Sequence, residues 1–163
     1  YKNNKKKNRK ETLINVAEIC KKKRSQLFIS NNLELVLKVK ADGIYIPSFS
    51  KSHNFNLNLN KKIMVLGSAH NQMEIHNKIS QKCHAIFLSP AFLTNKYKSK
   101  KYLGIARFNL LCLRNKINFY ALGGINEKNL PKLKLLRIKG YGGISLFKKK
   151  PAQNMGRFLN FKF

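Results

Sequence analysis

The sequence predicts an α/β fold in which short parallel strands alternate with helices. Short apolar runs recur along the 163 residues, and most of them are separated by segments whose apolar residues recur at helical spacing. Because a helix that joins two strands returns the chain to the same end of the sheet, this alternation specifies parallel strands. With 43% hydrophobic residues, the chain is apolar enough for one domain with a sizeable core.

Six strands are predicted, each from a short apolar or aromatic run bounded by turn residues. The run Asn118–Leu122 is continuous and not alternating, as expected of a strand covered on both faces. The run Ile44–Ile46 follows a turn at Asp42-Gly43 and ends at Pro47. In chain order the predicted strands are Gln26–Ile29, Ile44–Ile46, Ile63–Leu66, Ala85–Leu88, Asn118–Leu122 and Gly142–Ile144.

The helices between these strands are predicted from apolar residues spaced three or four positions apart. The first helical pattern begins at Glu11 and continues to Cys20. The last follows Asn126, a residue type that favours the N-cap, and has the acidic Glu127 in its first turn. The other predicted helices are Leu33–Val39, Asn71–Gln81 and Gly104–Leu113, and the last is Glu127–Leu136.

Two architectures fit this alternation, a doubly wound sheet and a (β/α)₈ barrel. Six strands, or seven if residues 1–3 are the end of another strand, are too few for a closed barrel of eight. Because the chain opens on the end of a strand–helix unit, we expect at least one N-terminal unit to be missing. We assign residues 1–150 to the domain and residues 151–163 to a C-terminal tail.

Paired glycines after the last two strands predict a phosphate-binding site. Gly123 and Gly124 follow one apolar strand, and Gly142 and Gly143 fall in the next unit. Glycine lets the backbone approach a ligand and turn its N–H groups outward, and barrels commonly bind phosphate with the loops after strands seven and eight. A plain structural turn explains a single glycine pair equally well.

The formal charge of +28 invites a nucleic-acid interpretation, because a cationic surface attracts phosphate backbones regardless of sequence. The lysines, however, are scattered over all connecting segments together with many Asn, Ile, Leu and Phe residues, as in a protein encoded by AT-rich DNA. No zinc-finger spacing, RNP-like aromatic pattern or helix-turn-helix accompanies them. We therefore expect a solvated lysine surface and no nucleic-acid partner.

Three cysteines, Cys20, Cys83 and Cys112, are odd in number and far apart, so neither a disulfide framework nor a zinc site is indicated. Cys20 and Cys112 fall in helical apolar patterns and are predicted to lie in the core. No apolar run is long enough to cross a bilayer, and no signal peptide is visible. We expect no membrane partner and a cytoplasmic protein.

The residues at the ends of the predicted strands form a recognisable series. In chain order they are Leu27-Phe28-Ile29-Ser30-Asn31-Asn32, Lys40-Ala41-Asp42-Gly43-Ile44-Tyr45-Ile46, Leu66-Gly67-Ser68-Ala69-His70, Leu88-Ser89-Pro90-Ala91-Phe92-Leu93-Thr94, Ala121-Leu122-Gly123-Gly124-Ile125-Asn126 and Gly142-Gly143-Ile144-Ser145. The series resembles the thiamine-phosphate synthase and TenI (thiazole tautomerase) family, TIM (β/α)₈ barrels of thiamine biosynthesis. The resemblance begins near the end of the second barrel strand and implies a TIM barrel that lacks its first N-terminal strand–helix unit.

The resemblance also implies a phosphorylated thiazole or thiamine as ligand. The residues that would bind its phosphate are Gly123, Gly124, Gly143 and Ser145. The residues that would contact the rest of the substrate are Asn31, Asn32, Ser68, Thr94 and Lys96. The family's Thr-x-Ser/Thr-Lys loop is only partly matched, because Lys96 stands one position early.

The synthase branch of this family binds magnesium and a pyrimidine diphosphate through an Asn-Asp pair after the third barrel strand and an acidic residue past the fourth. Here the pair reads Asn31-Asn32 and the second position falls near Ser50, so both carboxylates are absent. Magnesium prefers charged oxygen ligands. The resemblance therefore implies a TenI-like protein without a metal or other cofactor. The alternatives are a true synthase that uses magnesium through different ligands and a basic nucleic-acid-binding module.

His70 lies where the TenI branch places the acid/base histidine of thiazole tautomerisation. A histidine titrates near neutrality and can move a proton between carbon and nitrogen without a metal. The alternative is that His70 only caps the helix that follows. The other three histidines, His53, His76 and His84, have no carboxylate or second ligand nearby in the sequence and are predicted to be surface residues.

Overall fold

Helices and parallel strands alternate along the chain as predicted. The computed structural model of the protein describes residues 2–51, 63–94 and 102–143. Within them the α-helices are α1 (Lys2–Lys22), α2 (Leu33–Lys38), α3 (Gln72–Ser80) and α4 (Gly104–Leu113), with a short 3-10 helix at Leu130–Leu135. The strands are β1 (Phe28–Ser30), β2 (Gly43–Ile46), β3 (Met64–Ala69), β4 (Ala85–Leu88), β5 (Asn118–Leu122) and β6 (Gly140–Gly142).

The six strands form one parallel sheet whose spatial order is the order of the sequence, β1 to β6. Each strand pairs with the next; Ile44 pairs with Val65, for example, and Ile86 with Phe119. A doubly wound sheet would reverse its strand order at a switch point, whereas the wall of a (β/α) barrel does not. The prediction of a parallel α/β fold is confirmed, but the described residues form six strands and not a closed ring of eight.

The two faces of the sheet have separate apolar clusters. One face places Ile44, Val65 and Ile86 in the main core together with Ile75 of α3 and Phe108 of α4. All five side chains are fully buried. Successive residues of a strand point to opposite faces, so their neighbours form a second cluster on the inner face of the sheet, built around Leu66, Ala85 and Tyr120. The helices therefore cover one face, and the other keeps its own smaller core.

Several element boundaries differ from the sequence prediction, most of them by one or two residues. Strand β3 continues to Ala69, so Gly67 and Ser68 are ladder residues and not part of an exit loop; Ser68 pairs with Phe87 of β4. Helix α1 begins at Lys2, because lysine is a good helix former even without an apolar stripe, and residues 2 and 3 are therefore not the end of a strand. Strand β6 begins and ends earlier than predicted, at Gly140–Gly142.

The predicted helix Glu127–Leu136 is also wrong. The chain forms a turn and then the 3-10 helix Leu130–Leu135, with Pro131 in its first turn. Proline has no N–H to donate to a carbonyl four residues earlier, so an α-helix cannot run through this position from Glu127. Residues 151–163, assigned to a tail, lie outside the described residues.

The buried cysteines follow the prediction only in part. Cys112 lies in the core as expected, but Cys20 is half-buried, and Cys83 is buried instead. Burial raises the pKa of Cys83 to about 11 and that of Cys112 to about 12. No described helix is both long and apolar enough to reach across a membrane.

Alkylation with iodoacetamide at pH 8 is expected to modify Cys20 first and to leave Cys83 and Cys112 largely unreacted. The thiolate is the nucleophile, so raising a thiol pKa by two to three units lowers its rate roughly 100-fold or more. Peptide mass spectrometry over time measures the three rates. In urea the three thiols should react alike, and a native Cys83 that reacts as fast as Cys20 would contradict its burial.

Candidate functional site

The predicted site residues gather at the carboxyl edge of the sheet, where all six parallel strands end; we call this edge the rim. The described site residues that follow the strands there are Asn31, Asn32, His70, Thr94, Gly123, Gly124 and Gly143. Ser68 lies within β3, one residue before the end of the strand. Lys96, Ser145 and His53 lie outside the described residues. Ligands of open and closed parallel α/β sheets bind at this edge.

The glycine turn after β5 packs closely against the loop after β4. Gly123 and Gly124 have positive φ angles of 88° and 71°. A Cβ atom on Gly124 would collide with the carbonyl oxygen of Phe92, and one on Gly123 would lie 3.0 Å from Pro90. The loop is also hydrogen-bonded to the turn, since the Phe92 N–H donates to the Gly123 carbonyl at 3.1 Å. Glycine is thus required here by packing, whether or not a ligand binds.

The same turn has backbone N–H groups that find no acceptor among the described residues. No described residue accepts a hydrogen bond from the N–H of Gly124 or of Ile125. Leu122 pairs with Gly142 across the β5–β6 ladder, so Gly143 lies beside Gly123 at the rim. The glycines that follow β5 and the glycine that follows β6 are therefore neighbours, as the predicted phosphate site requires.

Two asparagines fix this turn from below. Asn126 makes the side-chain hydrogen bonds expected of an N-cap, although no α-helix follows: it accepts from the Lys128 N–H at 3.0 Å and from the Asn129 N–H at 3.2 Å. Asn129 accepts from the Asn126 N–H at 2.8 Å and donates to the Gly124 carbonyl at 2.7 Å. These bonds hold the Gly124 peptide in one orientation without an α-helix.

His70 directly follows β3 at the rim, and its side chain is hydrogen-bonded to Glu74 in the first turn of α3. Its Nδ1 lies 2.8 Å from Oε2 of Glu74, and the same oxygen accepts from the His70 backbone N–H. The N-cap of α3 is Asn71, whose side chain accepts from the Glu74 N–H, so His70 is not the cap. The imidazole is about half exposed. A carboxylate on Nδ1 favours the tautomer that leaves Nε2 as the proton acceptor.

Asn31, the first residue of the Asn31-Asn32 pair, lies beside Ser50, a position where the resemblance implies a carboxylate in the synthase branch. The Ser50 hydroxyl donates to Oδ1 of Asn31 at 3.1 Å, although 19 positions separate them. Asn31 has a φ of 53° and donates its N–H to the Tyr45 carbonyl. Asn32, by contrast, is the N-cap of α2, and its Oδ1 accepts from the Leu35 N–H at 2.9 Å.

These residues do not fit magnesium. Both groups are neutral, Oδ1 of Asn31 is occupied by Ser50, and Oδ1 of Asn32 is occupied by the helix cap. Nowhere in the described part of the chain do three His, Cys, Asp or Glu side chains lie close enough to share a metal ion.

The inner face below the rim supplies aromatic residues that sequence reasoning missed. The rings of Tyr45 and Phe87 lie edge to face with their centroids 6.4 Å apart, and the ring centroids of Phe87 and Tyr120 are 5.6 Å apart. Ser68 pairs with Phe87 in the ladder and is 6% exposed. Counting every second residue of the predicted strands could have placed Tyr45, Phe87 and Tyr120 on one face. The Thr94 hydroxyl is buried and has no partner within the described residues.

A groove of about 730 Å³ lies elsewhere, between α1 and α2. Its lining includes Gln26 and Leu27, which precede β1, and Asp42, which precedes β2. It therefore opens at the amino edge of the sheet, opposite the rim, and contains none of the predicted site residues.

Comparison with known proteins gives a consistent result. A family model described as thiamine monophosphate synthase matches residues 1–147. The chain is 32% identical over 129 residues to the thiamine-phosphate synthase of Prochlorococcus marinus strain SARG, a match that covers 76% of this chain and 36% of that protein. It is 27% identical over 132 residues to the putative thiamine-phosphate synthase 2 of Aquifex aeolicus, covering 81% and 71%. The chain spans about a third of the length of the Prochlorococcus relatives it matches.

Among solved structures, the fold is similar to a thiamine phosphate pyrophosphorylase from Pyrococcus furiosus. The TM-score is 0.68 at 16% identity, and the superposition covers 83% of this chain and 64% of that one. A designed cube-shaped protein cage, built by fusing symmetric oligomeric domains, gives a TM-score of 0.61 at 13% identity. At these identities the similarity shows the fold alone.

Proposed function

The chain belongs to the thiamine monophosphate synthase and TenI family, and from this premise we propose that it binds a thiazole phosphate or thiamine phosphate at the rim. The family places it in thiamine biosynthesis. We further propose that the six strands correspond to consecutive strands of a (β/α)₈ barrel, because each pairs with its neighbour in sequence.

The observation that carries this proposal is the glycine turn after β5. The N–H groups of Gly124 and Ile125 have no acceptor within the described residues, and backbone N–H groups at such a turn are ready donors to an anion. Gly143 of the neighbouring corner lies beside them. In this arrangement Gly123, Gly124 and Gly143 surround the phosphate, and Ser145 adds a hydroxyl.

The inner face gives the organic part of the ligand a place to bind. Tyr45 and Phe87 are both partly exposed there, below the rim. Aromatic side chains bind flat heteroaromatic rings by stacking or edge contacts. We propose that the thiazole ring lies against these two residues, with Asn31, Ser68 and Thr94 as polar neighbours, and that Lys96 contributes to binding the phosphate.

A TenI-like activity without metal fits the residues better than the synthase reaction. His70 supplies an acid/base group joined to Glu74, whereas neutral Asn32 and Ser50 stand where the resemblance implies carboxylates in the synthase branch. The second candidate is a true thiamine-phosphate synthase, which is favoured by the names of the relatives. That reaction would need magnesium bound through ligands other than these.

Calorimetric titration with thiamine phosphate, thiamine and inorganic phosphate tests the proposal. Thiamine phosphate should bind at least about tenfold more tightly than thiamine, because the phosphate adds charge-assisted hydrogen bonds. Inorganic phosphate should compete, and EDTA should change nothing. Equal affinities for the two thiamines would contradict the phosphate site, and loss of binding in EDTA would favour the synthase. Tight, salt-sensitive RNA binding that phosphate does not displace would favour a nucleic-acid module.

A further inference from the structure

We propose that Lys78 of α3 is a positioning residue that fixes Asn31 at the rim through Ser50. Lys78 touches no part of the proposed ligand site itself. The inference rests on the proposed function in one respect, that Asn31 contacts the ligand.

Lys78 is a lysine buried in the main core layer. Its side chain is fully buried, although a lysine on a helix of so basic a chain is expected to be solvated. The alkyl chain passes over Gly67, where a Cβ atom would lie 2.9 Å from Lys78 Cδ and 2.9 Å from Cys83 Sγ. Glycine in the middle of β3 thus makes room for the lysine to cross the sheet.

The ammonium group ends on the loop that follows β2. Nζ donates to the Ser50 carbonyl at 2.9 Å and to Oε1 of Gln81 at 2.9 Å. Nε2 of Gln81 donates to the same carbonyl at 3.0 Å. Two donors from α3 therefore hold one peptide group of this loop.

This attachment is costly in the absence of a carboxylate. No described Asp or Glu forms a salt bridge with Lys78, and a buried charge without a partner is unfavourable. Burial lowers the pKa of Lys78, while Cys83 and Glu74 act in the opposite direction. Methionine would fill the same space without the cost of burying a charge. What lysine adds is the pair of hydrogen bonds that its ammonium group donates to Ser50 and Gln81.

Ser50 connects this loop to Asn31 at the rim. Its hydroxyl donates to Oδ1 of Asn31 at 3.1 Å, and Ser50 itself is only 8% exposed. Asn31 is exposed and has a left-handed backbone, with its N–H bonded to the Tyr45 carbonyl. With Oδ1 held by Ser50, the Nδ2 group of Asn31 remains as the donor for an anionic ligand.

The test is a double-mutant cycle on Lys78→Met and Ser50→Ala in the full chain. Ser50→Ala removes only the hydroxyl, and Lys78→Met leaves the Ser50 carbonyl its bond from Gln81. Each single variant should weaken thiamine phosphate binding about tenfold, as is typical when a residue that orients a ligand-binding group is lost. The double variant should be no worse than either alone, because both act on one connection. Lys116→Met, which removes an exposed lysine near the amino edge, should bind normally.

A second measurement does not depend on the ligand. In ¹H–¹⁵N spectra, the side-chain amide signals of Asn31 should shift and broaden in Lys78→Met and Ser50→Ala but not in Lys116→Met, at unchanged denaturation midpoints. Unchanged Asn31 signals in Lys78→Met would overturn the inference, as would additive losses in the cycle. If the wild type does not bind thiamine phosphate but the Asn31 signals respond, the proposed function fails and the positioning role stands.

Discussion

Replacing Gly124 with alanine is expected to lower the free energy of unfolding by about 3 kcal/mol. An L-residue at its φ of 71° is strained, and the new methyl group would collide with the Phe92 carbonyl oxygen. Neither neighbour can move easily, because the Phe92 N–H is bonded to Gly123 and the Gly124 carbonyl is bonded to Asn129. Urea unfolding followed by circular dichroism measures the loss.

Gly104→Ala is the matched control for this prediction. Gly104 has a nearly equal φ of 66°, but a Cβ atom there would meet only the Tyr102 ring at 3.7 Å. It should therefore cost only the backbone strain, about 1 kcal/mol. Equal losses in the two variants would show that the close approach to Phe92 does not restrict the turn. Under conditions in which it is folded, Gly124→Ala should also lose its preference for thiamine phosphate over thiamine.

His70→Ala is expected to lower the rate of tautomerisation of the thiazole carboxylate phosphate at least about 100-fold, the usual contribution of a general acid/base. The binding of the ligand should be unchanged, because the proposed phosphate site is the glycine turn after β5, whereas His70 follows β3. Glu74 accepts from His70 Nδ1, so Glu74→Gln should lower the rate less, by weakening the orientation of the ring. The conversion can be followed by ¹H NMR.

His76→Ala is the control for His70. This histidine is also exposed and hydrogen-bonded, to Gln72 at 2.7 Å, but it lies on the side of α3 and not at the rim. Its removal should leave turnover intact. Unchanged turnover in His70→Ala would remove His70 from the mechanism and leave the rim as a binding site only.

The sequence predicts those parts of the structure that depend on short stretches of neighbouring residues. Apolar runs such as Asn118–Leu122 located the strands, and their parallel order put His70 and Gly124 at one edge. The prediction failed at Gly67, because the predicted strand ends at Leu66 and leaves Gly67 outside it. It lies in a strand because Lys78 and Cys83 occupy the space beside it, and those contacts join residues that are distant in the sequence.

In the candidate site, too, the sequence does not predict contacts between residues that are far apart along the chain. The resemblance associates Asn31 and Ser50 with one site, but nothing in the sequence predicts the hydrogen bond between them. Nothing distinguishes Lys78 from the solvated lysines around it. The reason for Gly124 was similarly hidden, since the atom that excludes a side chain belongs to Phe92 of another loop. Residue type predicted that these positions matter, whereas the partners depend on the folded arrangement.

The sequential order of the strands has a consequence for how the protein is made. Every strand pairs with those made just before and just after it; Phe28 pairs with Gly43, and Tyr120 with Gly140. A nascent chain can therefore add strands to a growing sheet as it leaves the ribosome, without waiting for a distant segment. Each intermediate exposes the unpaired edge of its newest strand, which invites association with other chains. A formal charge of +28 opposes such association through mutual repulsion between chains.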